Sequence, residues 1–438
     1  MKRLFLTFCA LCAYAAPANA ETIAITGGKI IIGDGSAPID AGTVIIRDGN
    51  ILAAGGIVAI PAGAIIIDAK GKWVTPGIFA GFSRLGLAEV DAVEGTNDKS
   101  GGRSGFNAGL DIAPAIDPFR TPIAVNRAAG VTRAVVAPEA GANMFAGQGA
   151  IADLGDDSNA VTKARAFQFV EFGEDGAQKS GGSRSASHAT FRAMLREAQD
   201  YAAGRGTFDD QLLRAEDAKA LLPVLRGETR LLVHAEAAND ILRIMELRKD
   251  FPALKIVLVG ASEGWRVARE IAAAGIPVIA SALNDLPASF EQLAATQSNI
   301  GRLKNAGVKV AIGMIDDRDA HQLRYSAQYA GNLVSLGQVP RATGLSWNDA
   351  FAAITSGPAD ILGVGDRLGS LKSGRAADVV IWDGDPLELS SAAEAVYIDG
   401  ILQPLDNRQA RLRDRYRSPS EKALPKAYEK ALPKAYEK

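Results

Sequence analysis

The side chains that could carry chemistry in this chain are few. It has three histidines, His188, His234 and His321, and its only two cysteines, Cys9 and Cys12, lie near its start. Histidine can act as an acid, a base or a metal ligand, and a catalytic zinc usually has three protein ligands. A two-metal site that needs four histidines is therefore excluded by the count of histidines alone.

Three of the candidate site residues follow runs that are typical of strands. His234 ends the apolar run over residues 231–234, and Asp316 and Asp317 follow the run over residues 308–313. The C-terminal ends of parallel barrel strands share one face, where barrel enzymes place their sites. His234, Asp316 and Asp317 are therefore predicted catalytic residues. The sequence also allows a histidine kept for hydrogen bonding and aspartates that cap a loop or helix.

The elements that must position these residues change in rhythm after Pro76. Before it, short strand-like runs predict a small β module, with a hairpin at residues 48–50. After it, short apolar runs alternate with helical periodicity, which is typical of a parallel sheet buried on both faces. This alternation predicts an α/β fold with a (β/α)8 TIM-like barrel over residues 76–363. The Gly- and Ser-rich residues 94–108 and 174–187 are predicted to be long loops on the site face.

Three motifs suggest a family. They are V-T-P-G-I-F-A-G-F-S-R-L-G-L at residues 74–87, A-I-T-S-G-P-A-D-I-L-G at 353–363 and G-S-L-K-S-G-R-A-A-D-V-V at 369–380. They resemble motifs of the amidohydrolase superfamily, most closely those of its imidazolonepropionase-like branch. The resemblance covers nearly all of residues 22–405. It implies that residues 21–75 and 364–405 build a composite β-sandwich beside the barrel.

The resemblance also implies a metal site whose ligands are largely replaced. Family members with an intact site bind one or two divalent metals. Their ligands are an H-x-H pair on strand one, a carboxylated lysine or a glutamate on strand four, histidines on strands five and six, and an aspartate on strand eight. In this chain Phe82 and Arg84 stand in place of the H-x-H pair. His234 matches the strand-five ligand, whereas Gly260 stands where the strand-six histidine is expected.

The remaining carboxylates do not complete a metal site at the level of sequence. Asp316 best matches the strand-eight aspartate, and Glu139 and Glu171 lie near strand ends without a supporting motif. One histidine with Asp316 would hold a metal only weakly, so we expect no cofactor apart from, at most, a single weakly bound zinc. Arg84 brings a permanent positive charge to the vacated position and is the fourth predicted catalytic residue. We expect its guanidinium to lie inside the barrel and to pair with Asp316 or Asp317.

Two functions remain open from the sequence. The resemblance implies hydrolysis of non-peptide C–N bonds, in cyclic amides, amidines or dipeptide-like substrates. The loss of metal ligands favours a non-catalytic descendant that binds a small molecule or a partner protein in the barrel pocket. A metal held by three or more protein ligands would favour the enzyme, whereas a pocket filled by Phe82 and Arg84 would favour the binding protein.

The two ends of the chain carry signals of their own. A basic start, an apolar run over residues 4–16 and an A-N-A triplet at 18–20 are typical of a cleaved signal peptide. We therefore expect a periplasmic or secreted protein, cleaved after Ala20 and free of cysteine. Residues 406–438 contain A-L-P-K-A-Y-E-K twice and predict a flexible charged tail.

Composition limits the kinds of partner. The formal net charge is -2, and the C-terminal tail is rich in basic residues, so the rest of the chain is acidic. Such an acidic body is a poor nucleic-acid binder. No segment beyond the signal peptide approaches ~18 uninterrupted apolar residues, so we expect no membrane span. The expected partner is a small-molecule substrate or ligand, and a homodimer is the default expectation for assembly.

Overall fold

The computed structural model describes residues 22–102, 104–205, 212–316 and 318–417. The predicted signal peptide, the duplicated repeat of the tail and Asp317 lie outside these residues. The strands, in chain order, are β1 (Thr22–Ile30), β2 (Ile39–Arg47), β3 (Asn50–Gly55), β4 (Ile65–Asp68), β5 (Trp73–Pro76), β6 (Ile78–Ser83), β7 (Val131–Val136), β8 (Phe145–Asp153), β9 (Val161–Glu171), β10 (Arg230–Ala235), β11 (Lys255–Gly260), β12 (Val278–Ala280), β13 (Val310–Ile312), β14 (Val379–Trp382), β15 (Ala393–Ile398) and β16 (Ile401–Leu402). The helices are α1 (Thr121–Arg127), α2 (Gly173–Lys179), α3 (Arg184–Ala202), α4 (Ala215–Leu225), α5 (Ala238–Met245), α6 (Leu247–Asp250), α7 (Ala268–Ala273), α8 (Asn299–Asn305), α9 (Tyr325–Leu336), α10 (Trp347–Ala352), α11 (Ser356–Leu362) and α12 (Arg408–Arg417).

The two ends of the chain form one sheet, here called the end sheet. Its order is β16-β15-β14-β5-β1-β2-β3, and β4 also pairs with β1. The ends meet where β14 runs antiparallel to β5, with Val380 opposite Thr75. Buried side chains of this sheet, among them Ile25, Val44 and Val379, form a hydrophobic cluster of their own. The prediction of a β unit built from both chain ends is confirmed.

The predicted hairpin joins β2 to β3. Asp48 and Gly49 have φ angles of 52° and 73°. Two successive residues in the left-handed region give the turn that matches the twist of two antiparallel strands, and Asp-Gly is among the pairs that adopt it most readily. Two residues of local sequence therefore sufficed to predict this turn.

Strands β6 to β13 form the barrel sheet in their chain order. The N–H of Met314, just after β13, donates to the carbonyl of Phe82 on β6 at 2.9 Å, which links the last strand to the first. Helices pack outside these strands, as the alternation of apolar runs and helical periodicity predicted. The TIM-like barrel fold is confirmed, with one difference in strand direction.

The difference is that the third barrel strand runs against its neighbours. Strand β8 pairs antiparallel with both β7 and β9, whereas the other strand pairs of the barrel sheet are parallel. A parallel crossover needs a dozen or more residues, usually with a helix. The connections on either side of β8, residues 137–144 and 154–160, are too short for such a crossover. The expectation of an all-parallel barrel sheet was therefore wrong at β8.

A second local difference concerns residues 174–187, which were predicted to be a loop. The structure has α2 there, followed by the start of α3. Ser183 caps α3, because its hydroxyl accepts the Ala186 N–H. Serine competes with helix in the middle of an element but favours it at the N-cap, so a Ser-rich stretch is compatible with a helix start.

The tail begins as ordered structure. Residues 408–417 form α12, which lies near α1. The residues beyond 417, with the duplicated repeat, are outside the description. The predicted flexible tail thus begins with a helix, and the nature of the repeats remains a prediction.

One buried ion cluster joins the barrel to the end sheet. Arg133 on β7 is 2% exposed. Its guanidinium makes a two-pronged pair with Asp378, at 2.7 and 2.9 Å, and a further bond of 2.7 Å to Asp399. Asp153 at the end of β8 lies 3.5 Å away, and burial raises the pKa of its carboxyl to about 6. Since Asp378 and Asp399 flank strands of the end sheet, these bonds fix how the two sheets dock.

Candidate functional site

The site begins with three side chains at the ends of neighbouring barrel strands. His234 on β10 lies beside Glu171, the last residue of β9, with the two residues paired in the parallel ladder. The imidazole Nδ1 is 2.6 Å from Glu171 Oε2, and its Nε2 is 3.2 Å from Glu236 Oε1. Each ring nitrogen therefore faces a carboxylate, and both nitrogens can donate only if the ring is an imidazolium.

The electrostatics agree with a charged histidine. Burial lowers the pKa of His234, but the carboxylates of Glu171 and Glu236 outweigh it and hold the pKa well above its usual value. Burial likewise raises the pKa of each glutamate, and the adjacent imidazolium brings the pKa of both below the usual range. His234 is consequently held as a cation between two anions, and it has no free nitrogen lone pair to offer.

Arg84 adds a second positive charge that acts on Glu171. It is 6% exposed, and its guanidinium lies 5.1 Å from the ring centroid of Phe82 and 5.5 Å from that of Phe169, inside the barrel. Its Nη1 donates to the carbonyl of Ala137 at 2.8 Å. The positive charge of Arg84 also helps to lower the pKa of Glu171.

We call Arg84, Glu171, His234 and Glu236 the charge row, because their charges alternate from positive to negative. Glu236 ends the row and is anchored by the Ser262 N–H, which donates to its Oε2 at 2.7 Å. Two cations and two anions leave the row without net charge. A buried charge without a partner of opposite sign is costly, and the alternation gives each charge of the row such a partner.

Of the two predicted aspartates, the structure describes Asp316, and its ion pair is formed outside the charge row. Asp316 forms a two-pronged pair with Arg318, at 2.9 and 2.7 Å, and this pair lowers the pKa of its carboxyl. Of the two expected partners of Arg84, Asp316 pairs with Arg318. Asp317 lies outside the residues that the structure describes, so its pairing with Arg84 stays a prediction. His234 and Asp316 nevertheless face one space, since both line a cavity of about 780 Å³ at the barrel mouth.

One side of this cavity is residues 281–297, here called the wall loop, which follows β12. Glu291 anchors this loop, because its Oε2 accepts the Glu174 N–H of α2 at 2.8 Å. Gly173 leaves room for that contact: a Cβ there would lie 2.3 Å from the same oxygen. Burial raises the pKa of Glu291 to about 7.

Glu291 predicts a measurable pH dependence of stability. Its folded pKa of about 7 exceeds the ordinary value of 4.5, so the folded state binds the proton more tightly, and this group's contribution falls as pH rises between those values. Glu291→Gln removes that fall. The variant is expected to gain stability relative to wild type on going from about pH 5 to about pH 8, measured by urea unfolding. Glu270→Gln, an exposed glutamate of α7, is the control, and a difference between variant and wild type that is independent of pH would contradict the assignment.

The residues of the site do not fit the metal that the family resemblance implies. Phe82, at the first H-x-H position, is 1% exposed and packs with Phe169 in the barrel interior at 5.3 Å between ring centroids. At the strand-six position, Gly260 has φ of +86°, and a Cβ there would lie 2.6 Å from Glu236 Oε1 and 2.9 Å from His234 Cδ2. The carboxylate of Glu236 thus fills the space that a strand-six ligand needs. Within residues 22–102, 104–205, 212–316 and 318–417, no group of three or more His, Cys, Asp or Glu side chains could hold a metal ion.

Two members of the charge row were not predicted as site residues. Glu171 was noted only as a carboxylate near a strand end, and Glu236 was not singled out. The antiparallel β8 makes β9 the fourth barrel strand, which places Glu171 where the family has its strand-four ligand. Counting strands correctly would have found Glu171. Glu139, the other candidate, instead lies 3.4 Å from Lys99.

Comparisons with known proteins agree with the fold and the motifs. The sequence profile described as the Amidohydrolase family matches residues 257–402. The chain is similar to Amidohydrolase tasK of Hapsidospora irregularis, with 24% identity over 371 residues, which cover 77% of this chain and 37% of that protein. In structure it is similar to an amidohydrolase from Thermotoga maritima MSB8, with a TM-score of 0.77, 23% identity, and coverage of 88% of this chain and 100% of that one.

The comparisons support the amidohydrolase superfamily for this chain. This similarity supports hydrolase activity only at the level of the family, and the imidazolonepropionase-like branch stays a prediction. A molinate hydrolase is a further structural match, with a TM-score of 0.53, 17% identity, and coverage of 93% of this chain and 98% of that one. The chain spans only 37% of the length of the curated relative. Among the described residues, no helix is both long and apolar enough to cross a membrane.

Proposed function

We propose that this amidohydrolase-superfamily protein binds a small molecule at the barrel mouth and has lost metal-dependent hydrolysis. The observation that carries the proposal is the charge row, whose side chains occupy the positions of the family's metal ligands. His234 is held by carboxylates on both nitrogens, at 2.6 and 3.2 Å, and therefore offers no lone pair to a metal.

Hydrolysis in the family depends on the bound metal, whose ligand positions the charge row occupies. A bound divalent metal lowers the pKa of its water to about 7 and so generates a nucleophile. The imidazolium of His234 is already paired, and the Arg84 guanidinium is engaged by backbone carbonyls and two aromatic rings. Neither cation is placed to lower the pKa of a water molecule in this way, because the charges of the row neutralise one another.

The cavity itself is suited to a ligand. Its volume of about 780 Å³ lies in the range of small-molecule pockets, about 300–1,000 Å³. It opens at the C-terminal face of the barrel, where barrel proteins bind their substrates. The fold does not need a metal to maintain this pocket, since the charge row and the aromatic interior hold the strand ends together.

The test is to measure metal and hydrolysis on the same preparation. Protein purified without chelator and then loaded with zinc is expected to retain well under one metal per chain after gel filtration. We expect no hydrolysis of cyclic amide, amidine or dipeptide substrates above the level of the His234→Ala variant. Near-stoichiometric metal by elemental analysis, together with turnover that is lost in that variant, would contradict the proposal.

Hydrolysis of non-peptide C–N bonds is the second candidate function. The observation that favours it is Asp316, which follows the eighth barrel strand, lines the cavity with His234 and could serve as a base. This candidate requires turnover without bound metal. Activity that persists in chelator and is lost in Asp316→Asn would support it over simple binding.

Export is proposed with either function. The support is the signal-peptide pattern of the first twenty residues. Cell fractionation with N-terminal sequencing tests it: a mature protein that begins at Glu21 is expected in the periplasm or the medium. Assembly as a homodimer is likewise a proposal, tested by light scattering of the purified protein.

A further inference from the structure

The cavity at the barrel mouth has an excess of negative charge. Among the described residues that line it, the carboxylates are Glu236, Asp285, Asp316 and Asp319, whereas the cations are His234 and Arg318. Glu236 is compensated by His234, and Asp316 by Arg318. Asp285 and Asp319 are the two lining carboxylates that form no ion pair with a described residue, although the charge of Arg318 acts on Asp319 as well as on Asp316.

Asp319 is the more informative of the two. It is 6% exposed, and its Oδ2 accepts the hydroxyl of Tyr329 at 3.2 Å, which fixes the orientation of the carboxylate. Its Oδ1 is buried and, in the part of the chain that the structure describes, has no hydrogen-bond partner. A buried acceptor without a donor is costly and rare in native proteins. Because Asp319 is one of the residues that line the cavity, its incompletely satisfied carboxylate is suited to a donor that a ligand supplies.

Apolar side chains share the cavity lining with these carboxylates. Leu283 and Leu286 of the wall loop line the cavity and are 42% and 80% exposed, and Ile315 also lines it. Exposed leucines at the rim of a pocket gain from covering by apolar ligand surface. The lining therefore combines carboxylates with exposed apolar side chains.

We infer that the ligand of this pocket is an organic cation with an apolar body, such as an alkylammonium or arylalkylammonium group, whose N–H donates to Asp319. The inference rests on the proposed small-molecule pocket and adds the chemical class of the ligand. The ammonium satisfies the unpartnered Oδ1 and the excess charge, and its apolar part covers Leu283 and Leu286. An anionic ligand would meet two uncompensated carboxylates and is disfavoured.

The experiment compares three probes that share one chain length: hexylammonium, 1-hexanol and hexanoate, by isothermal titration calorimetry at neutral pH with the full mature chain. Hexylammonium is expected to bind at least about tenfold more tightly than 1-hexanol, and hexanoate more weakly than either. Added salt is expected to weaken hexylammonium binding and to leave 1-hexanol binding nearly unchanged.

Two variants locate the effect. Asp319→Asn keeps the shape of the side chain and is expected to reduce hexylammonium affinity about tenfold, to the level of 1-hexanol, while 1-hexanol binding persists and reports a folded pocket. Leu286→Ala is expected to weaken all three probes alike. Asp250→Asn is the control, because this exposed carboxylate pairs with Arg192 far along the chain from the cavity lining and should change nothing.

The outcomes separate the inference from the proposed function. Equal affinities for the three probes, or tightest binding of hexanoate, would overturn the inference while leaving a small-molecule pocket in place. Cation preference that survives Asp319→Asn would also overturn the role of Asp319. If no probe binds wild type and Leu286→Ala behaves like wild type, the proposed pocket function fails together with the inference.

Discussion

Replacing Arg133 with methionine is expected to lower the free energy of unfolding by about 3–5 kcal/mol. The guanidinium is 2% exposed, and it compensates the buried Asp378 through two bonds and Asp399 through a third. Removing it leaves the carboxylates of Asp378 and Asp153 without their cation in a site from which water is largely excluded. Methionine fills most of the volume, so the loss would report the charges rather than a cavity.

The matched control for Arg133→Met is Arg165→Met. Arg165 also pairs with an aspartate, Asp111 at 2.8 Å, but its side chain is 68% exposed. Exposed pairs contribute about 0–1 kcal/mol, so this variant should unfold almost as wild type does in urea. Similar losses for the two variants would show that burial of the Arg133 cluster does not govern its contribution.

The second large effect is expected at Gly260. Gly260→Ala should lower the free energy of unfolding by about 2–5 kcal/mol, from left-handed backbone strain and overpacking together. Its φ is +86°, and the added Cβ would lie 2.6 Å from Glu236 Oε1 and 2.9 Å from His234 Cδ2. Because these atoms belong to the charge row, the carboxylate of Glu236 cannot move away without breaking its bonds to His234 and Ser262.

Gly275→Ala separates the two causes. Gly275 also has a positive φ, +60°, but a Cβ there would meet nothing within 4 Å. Gly275→Ala should lower the free energy of unfolding only through backbone strain, by about 1 kcal/mol. Urea unfolding of both variants, with Glu236→Ala added to Gly260→Ala to relieve the contact, measures the difference. If both glycines cost the same, the charge row does not fill the strand-six position.

The Gly260 result bears on function as well as stability. A histidine at this position is what the family resemblance expects, and the same contact opposes every side chain there. The metal site of the family is therefore blocked by the presence of Glu236 as well as by the absence of histidines. Restoring single ligands is not expected to restore zinc binding.

Much of the architecture could be predicted from local sequence. The Asp48–Gly49 turn, the apolar runs of the barrel strands and the motif at residues 74–87 each depend on neighbouring residues, so one sequence shows them. The loss of the H-x-H pair was visible for the same reason, because Phe82 and Arg84 are simply the wrong residue types. These features determined the fold and the doubt about metal chemistry.

The tertiary structure decided how the remaining polar groups are used. The contact of Glu171 with His234 joins residues that are 63 positions apart, and Asp319 acquires its unpartnered oxygen only from the packing around it. The direction of β8 depended on connection lengths that periodicity does not reveal. Residue type and spacing thus showed which chemistry was missing. Only contacts between distant strands showed that a neutral row of alternating charges takes its place, because burial and pairing are properties of the folded chain.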